Sequence, residues 1–255
     1  MLKTKTKKLL SQFNALIQII IIWQIGSILL HRECLPMPFV VCKSLICMLG
    51  EGRLLTHFCI SLVRILLGTF FGMLFSLFAG LILGHKTKVN NCVGELFNFL
   101  YILPKVVFLP IIIVVMGIGD LPKIFLITIV LFFQQTIIIR DSVKKIPEEY
   151  FRVIEVWKPS KISVLWHLVI PACLPDVMTS LRMSIGTSIA MLFITENFAS
   201  FTGLGYYITA CMDRRDYDEM YAAIIALASI GCLLYWIVGK IERYFCGWKE
   251  KGNGY

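Results

Sequence analysis

In the stretch "ITENFASFTGLGYYI", residues 194–208, Glu196 sets a carboxylate inside an apolar run. Ionisable groups placed there are functional candidates by default, because burying a charge in a bilayer is costly. Arg64 falls near the end of another apolar run at a matching depth, so the two are expected to pair. Arg182 stands 14 residues before Glu196, about 21 Å along a helix, too far to pair with it. It either pairs locally or meets an anionic solute. Lys105 lies between Pro104 and Pro110 in a third apolar run. Broken helices survive at membrane depth where protein or a wet cavity surrounds them, so these three residues mark either a pathway or a lysine reaching for the interface. Ser184, Thr187 and Ser188, with Gly186 and Ala190, make a small, weakly polar surface. A hydrated solute could pass along it, or another helix could pack on it.

Other chemistries lack their residues. No GxxxxGK[ST] is present, so ATP hydrolysis is not expected of this chain. There is no HExxH and no GxSxG, and the 4 histidines are scattered. The 9 cysteines show no CxxC spacing, and most fall in apolar runs, where they read as small packing residues. No cofactor is expected.

Composition sets the class of elements that hold these residues. Hydrophobic residues make up 58% of the chain and mean hydropathy is +0.79, well above soluble proteins at roughly 45–50% apolar. Several runs approach the ~20 apolar residues that cross a bilayer. The expectation is an all-α integral membrane protein with six transmembrane helices: residues 13–30, 65–84 (with an amphipathic lead-in from 54), 96–117, 123–139, 174–198 and 221–240. The first is taken as a retained span, since no cleavage site follows it. Residues 1–12 would be a cytoplasmic segment, 31–53 an external loop, 54–243 the core and 244–255 a cytoplasmic tail. Lys and Arg divide 16 to 6 between the two faces of this topology, which agrees with the positive-inside rule and places both termini in the cytoplasm. The net charge of +9 is thereby explained without nucleic acid.

Residues 146–171, "IPEEYFRVIEVWKPSKISVLWHLVIP", form a cytoplasmic insert in this topology. Pro147 suits the first turn of a helix, and Glu148 and Glu149 suit its positive end. Tyr150, Val153, Ile154 and Trp157 recur at helical spacing as one apolar face. Lys158-Pro159 ends the helix, and Ser160 can cap a second short one carrying Ile162, Leu165 and Val169. The pair is either shaped for a cytoplasmic partner or covers the inner end of the bundle.

At this insert the sequence resembles the membrane subunits of binding-protein-dependent ABC importers of type I fold, in the nitrate/sulfonate/taurine branch. The family's signature E-A-A-x-x-x-G aligns with Arg152, Val153, Ile154 and Lys158, every slot substituted. The flanking "IPEEY" and "LVIPACLPDVMTSLR" are similar to the family's frame, as are "SLVRILLGTFFG" (61–72), "ILPKVVFLPIIIVVMGIGDLPKIF" (102–125) and "ITENFASFTGLGYYI". The resemblance implies a permease for a small polar solute such as nitrate, a sulfonate or a vitamin precursor. It implies partners as well: two copies of an ATPase subunit, a second permease subunit as a homodimer, and an extracytoplasmic solute-binding protein, in the inner membrane. ATPase coupling would fall on Tyr150, Arg152, Val153, Ile154, Trp157, Lys158 and Pro159. The pathway would take Pro104, Lys105, Pro110, Ser184, Thr187, Ser188 and Glu196. Lys158-Pro159 implies a stiffer elbow than glycine. An ion-coupled carrier or a non-transporting scaffold are the alternatives.

Overall fold

The computed structural model describes residues 2–30 and 34–247, with the side chains of residues 2–13, 15 and 16 outside that description. All regular elements among the described residues are helical. Helix α1 (Leu2–Leu30) runs through the expected first span, and the tail beyond residue 247 lies outside the described residues. The Trp23 indole donates to Pro36 O at 3.0 Å and the Ser27 hydroxyl to Leu35 O at 2.8 Å, which folds the chain back after α1. The segment expected as a loop, 31–53, contains a further helix, α2 (Pro38–Gly50), which buries Val41 and Met48 and packs on α11 (Tyr217–Phe245). Its 13 residues are about 20 Å long, too short to cross a bilayer.

Among the described residues, four helices are long and apolar enough to cross: α3 (Arg53–His85), α6 (Leu121–Lys144), the continuous stretch Lys161–Glu196, and α11. Large apolar side chains such as Leu66, Phe70 and Phe78 on α3 and Trp236 on α11 are exposed on outer faces, as expected where the solvent is lipid.

The third span differs from expectation. α4 (Thr87–Ile102) and the segment Lys105–Met116, a 3-10 turn followed by α5 (Leu109–Met116), meet at 82°. Pro104 causes the break, since it offers no N–H to Leu100 O and its ring excludes the preceding helical turn.

The interface of α3 and α6 is set by a four-residue rhythm. Gly68, Gly72, Gly80 and Gly84 of α3 are faced in turn by Ile127, Leu131, Ile139 and Val143 of α6, with Ser76 and Gln135 at the intervening positions of the same four-residue register. A Cβ built on Gly80 would lie 2.6 Å from the Ile139 Cβ, and one on Gly84 2.5 Å from that of Val143. Backbone-close packing of this kind needs small residues at i, i+4. The GxxxG pairs are therefore packing within one subunit.

The fifth span also departs from expectation. α7 (Glu148–Glu155) leads through an elbow to α8 (Lys161–Val164), which runs without interruption through a π turn at 165–169 into α9 (Ile170–Glu196). The second short helix is thus the lower end of the span. The wide turn lies directly before Pro171, whose ring would crowd the carbonyl of His167 in a regular α turn. α10 (Leu204–Asp213) packs on α9 and α11.

Candidate functional site: an ion bracket and an elbow

At one end of the bundle α9 terminates in Glu196, which is 0% exposed, and α3 presents Arg64, 3% exposed. The Arg64 Nη1 donates to Glu196 Oε1 at 2.8 Å, so the expected pair forms. Arg64 spends its whole fork here. Nε and Nη2 reach Asp120 Oδ1 at 2.8 and 2.5 Å, Nη1 also reaches Thr202 O at 2.8 Å, and Nη2 reaches Thr202 Oγ1 at 2.9 Å. Five N–H groups meet five contacts, the most a guanidinium can make. Glu196 is equally occupied, accepting from the Ser61 hydroxyl at 2.8 Å and from Gly205 N–H at 2.7 Å. Ser61 in turn accepts from Leu204 N–H at 2.8 Å, and His57 Nδ1 accepts from Gly203 N–H at 3.0 Å. One guanidinium thereby ties α3, α9, the turn before α6 and the loop before α10.

The Gly203-Leu204-Gly205 turn is required by this bracket. Gly203 has φ +110°, and a Cβ there would sit 2.3 Å from the Glu196 carboxyl carbon and 2.6 Å from Arg64 Nη1. Lys123, also buried, donates to Gly119 O at 2.6 Å beside the same cluster.

The pathway candidates separate on inspection. Glu196, Ser184 and Ser188 do not line an open face. Ser184 bonds to the Gln135 amide, whose carbonyl accepts from the Ser180 hydroxyl at 2.5 Å, and Ser188 lies 3.2 Å from the Thr69 hydroxyl. These polar atoms hold α9 to α6 and α3, which is why they are buried. Thr187 is half-buried beside exposed Met183, Gly186 and Ala190, the side of α9 left uncovered. Pro104 and Pro110 are exposed on the broken span, which packs on α3 and α6, whereas α9 packs on α3, α6, α10 and α11. Lys105 is half-buried, and its ammonium donates to the carbonyls of Leu100 and Tyr101 at the end of α4 at 2.8 and 3.0 Å. Arg182 pairs with Glu242 on α11 and stacks over Tyr235, 5.4 Å from the ring centre, which is the local pairing rather than an anion site. Gln135 was not singled out from the sequence, although a polar residue in register with the facing glycines could have marked it.

Near the bracket, the Tyr207 hydroxyl donates to Glu219 at 2.5 Å, and burial pushes its pKa well up. The Arg53 guanidinium bonded to Glu51 holds that carboxyl below the usual carboxylate range.

At the opposite end sits the elbow. α7 packs inward through Phe151 onto the buried cluster that includes Ile139, Val143, Val169 and Cys173, and Ile154 is half-buried. Tyr150, Val153 and Trp157 face outward, 57, 66 and 85% exposed. The single apolar face expected from spacing is thus two, one packed and one open. Arg152 carries an exposed pair with Glu148 at 3.3 Å. Lys158 adopts φ +44°, the left-handed conformation, so the lysine bends as a glycine would rather than stiffening the elbow. Ser160 caps α8, accepting from Ser163 N–H at 3.2 Å.

Residues 72–245 match the family described as the binding-protein-dependent transport system inner membrane component, and the chain belongs to that family. It is 26% identical to the taurine transport system permease protein of Escherichia coli (strain K12), over 89% of this chain and 84% of that one. It is 27% identical to the putative aliphatic sulfonates transport permease protein of Bacillus subtilis (strain 168), over 92% and 86%. Among solved structures, an inward-facing form of the MetNI methionine ABC transporter superposes with a TM-score of 0.67 at 17% identity, covering 77% of this chain and 98% of the other. The fold is that of an ABC importer permease, and the chain is a membrane-embedded transport subunit rather than an enzyme.

Proposed function

We propose that this chain forms the solute pathway of an ATP-driven importer and takes its drive from a separate ATPase gripping the elbow. The open face of Tyr150, Val153 and Trp157 carries the reading. Tyr150 and Val153 stand outward on an eight-residue helix whose opposite side is already packed, with Trp157 exposed just past its end, and an exposed patch rimmed by Glu148, Glu149 and Arg152 is the form a protein contact takes. Val156, 80% exposed, and Ile162, 70% exposed, extend it. The elbow end is assigned to the cytoplasm by its Lys and Arg excess, with both termini on that side and six spans when α1 and the broken pair each cross once.

The functional unit is a homodimer of this chain with two ATPase copies and an extracytoplasmic binding protein. The solute is small and polar, of the sulfonate, taurine or bicarbonate kind, consistent with the relatives' transport systems. Its pathway follows the uncovered side of α9 around Thr187, Gly186 and Ala190.

Pull-down of the tagged chain in mild detergent tests the coupling. Stoichiometric recovery of an ATPase subunit is expected, and its loss from Trp157→Ala and Arg152→Glu chains that still fold. A homo-oligomer free of ATPase would instead favour the solitary-carrier or scaffold reading.

A further inference from the structure

Helix α4 ends in mid-span, and its last carbonyls have no intrahelical donors. Two particular donors are missing. Leu100 O would accept from residue 104, but that residue is Pro104. Tyr101 O would accept from the backbone of Lys105, which the bend carries into a 3-10 turn. In hydrocarbon an unpaired carbonyl is costly. The Lys105 side chain turns back and supplies both, with Nζ 2.8 Å from Leu100 O and 3.0 Å from Tyr101 O, and it lies 3.2 Å from Leu103 O as well. Three carbonyls thus face the three protons of one ammonium. Two aromatic rings stand close to it, Phe133 at 5.2 Å and Tyr101 at 5.8 Å from their centres, at the distance of cation–π attraction.

We propose that Lys105 is a tethered cation, and that the end of α4 is a primary-ammonium site filled by the chain's own side chain. The negative end of a half-helix with unwound carbonyls is where many carriers hold a mobile cation. Here the cation is covalently attached, so it cannot exchange, and it fixes the 82° bend between α4 and the segment leading into α5. Lys105 is therefore a positioning residue for α5. The inference rests on this geometry and stands apart from the transport reading.

Removing the tether empties the site, which makes the test one of chemical rescue. In the purified chain, Lys105→Ala lowers Tm by about 5 °C, and millimolar methylammonium restores most of that loss. Methylammonium leaves the wild-type chain unchanged. Tetramethylammonium, of the same charge without N–H donors, does not rescue. Labels at positions 99 and 114, introduced as unnatural amino acids because the chain has nine cysteines, report the bend between α4 and α5. Their distance distribution broadens in Lys105→Ala and narrows again with methylammonium. Lys105→Met, similar in length but without a donor, falls in Tm and is not rescued, and it serves if the alanine variant does not fold. An unchanged Tm and distance in either variant, or an equal response of wild type and Lys105→Ala to both ammonium ions, overturns the proposal.

Discussion

Replacing Glu196 by Gln removes one charge from a carboxylate with no exposed surface and donors from Ser61, Arg64 and Gly205. Breaking a buried pair by deleting one partner costs about 3–5 kcal/mol, because the other charge stays buried. The lower end applies here. Arg64 retains Asp120, itself 63% exposed, and Thr202, while Gln keeps one acceptor oxygen. We therefore expect about 3 kcal/mol for Glu196→Gln and a similar loss for Arg64→Met, which strands the carboxylate with Ser61 and Gly205. Once either partner is gone the second has little left to lose. The double variant should thus fall by about 4 kcal/mol, leaving a coupling of about 2 kcal/mol. Reversible unfolding of the four proteins in mixed micelles measures this cycle directly. Losses that add to within about 0.5 kcal/mol would mean that the two charges act independently, and the bracket as described would be wrong.

Three further outcomes follow from the geometry. Gly80→Ala, whose new Cβ meets Ile139, destabilises by about 1–3 kcal/mol, whereas Gly186→Ala, with nothing within 4 Å of the new Cβ, is neutral or stabilises by up to about 1 kcal/mol; thermal melts of the pair should show a lowered Tm for Gly80→Ala alone. At the elbow, Lys158→Gly changes stability little, since relief of the left-handed φ is offset by a more flexible unfolded chain, while Lys158→Val loses about 1 kcal/mol or more by the same assay. Tyr207→Phe costs about 1 kcal/mol through its bond to Glu219. Because burial raises the Tyr207 pKa, that contribution is fully present below the unfolded value near 10 and fades only as pH rises above it. A pH titration of unfolding should show the wild-type and Phe curves parallel up to pH of about 9 and converging beyond.

What could be read from the sequence divides along physical lines. The Arg64–Glu196 pair was legible because helix ends at equal depth bring opposite charges together and a buried charge must find one. The break at Pro104 was legible too, since proline removes a donor wherever it falls, but its 82° angle is set by how Lys105 recaps the carbonyls, a three-dimensional matter. For Ser184 and Ser188 the sequence leaves passage and packing open, because a stripe of small polar residues looks the same whether water or Gln135 and Thr69 lie against it. The helix at 38–50 was missed since a short apolar segment after two prolines has no period long enough to distinguish it from a loop. Lys158 was read by residue type, whereas packing of α7 through Phe151 and capping of α8 by Ser160 fix both sides of the elbow and impose its φ.

The unbroken run from Lys161 to Glu196 makes one rod of 36 residues, about 54 Å long. Its upper part is bolted on three sides: to α3 through Glu196, to α6 through Ser184, and to α11 through Arg182. A push at the elbow therefore cannot tilt this rod freely. The compliant place is the π turn at 165–169, which holds one residue more than an α turn does. Moving that surplus residue along the rod would swing the side chains it passes by about 100° with little change in length. In mechanical terms, α9 is better suited to transmit torque than thrust.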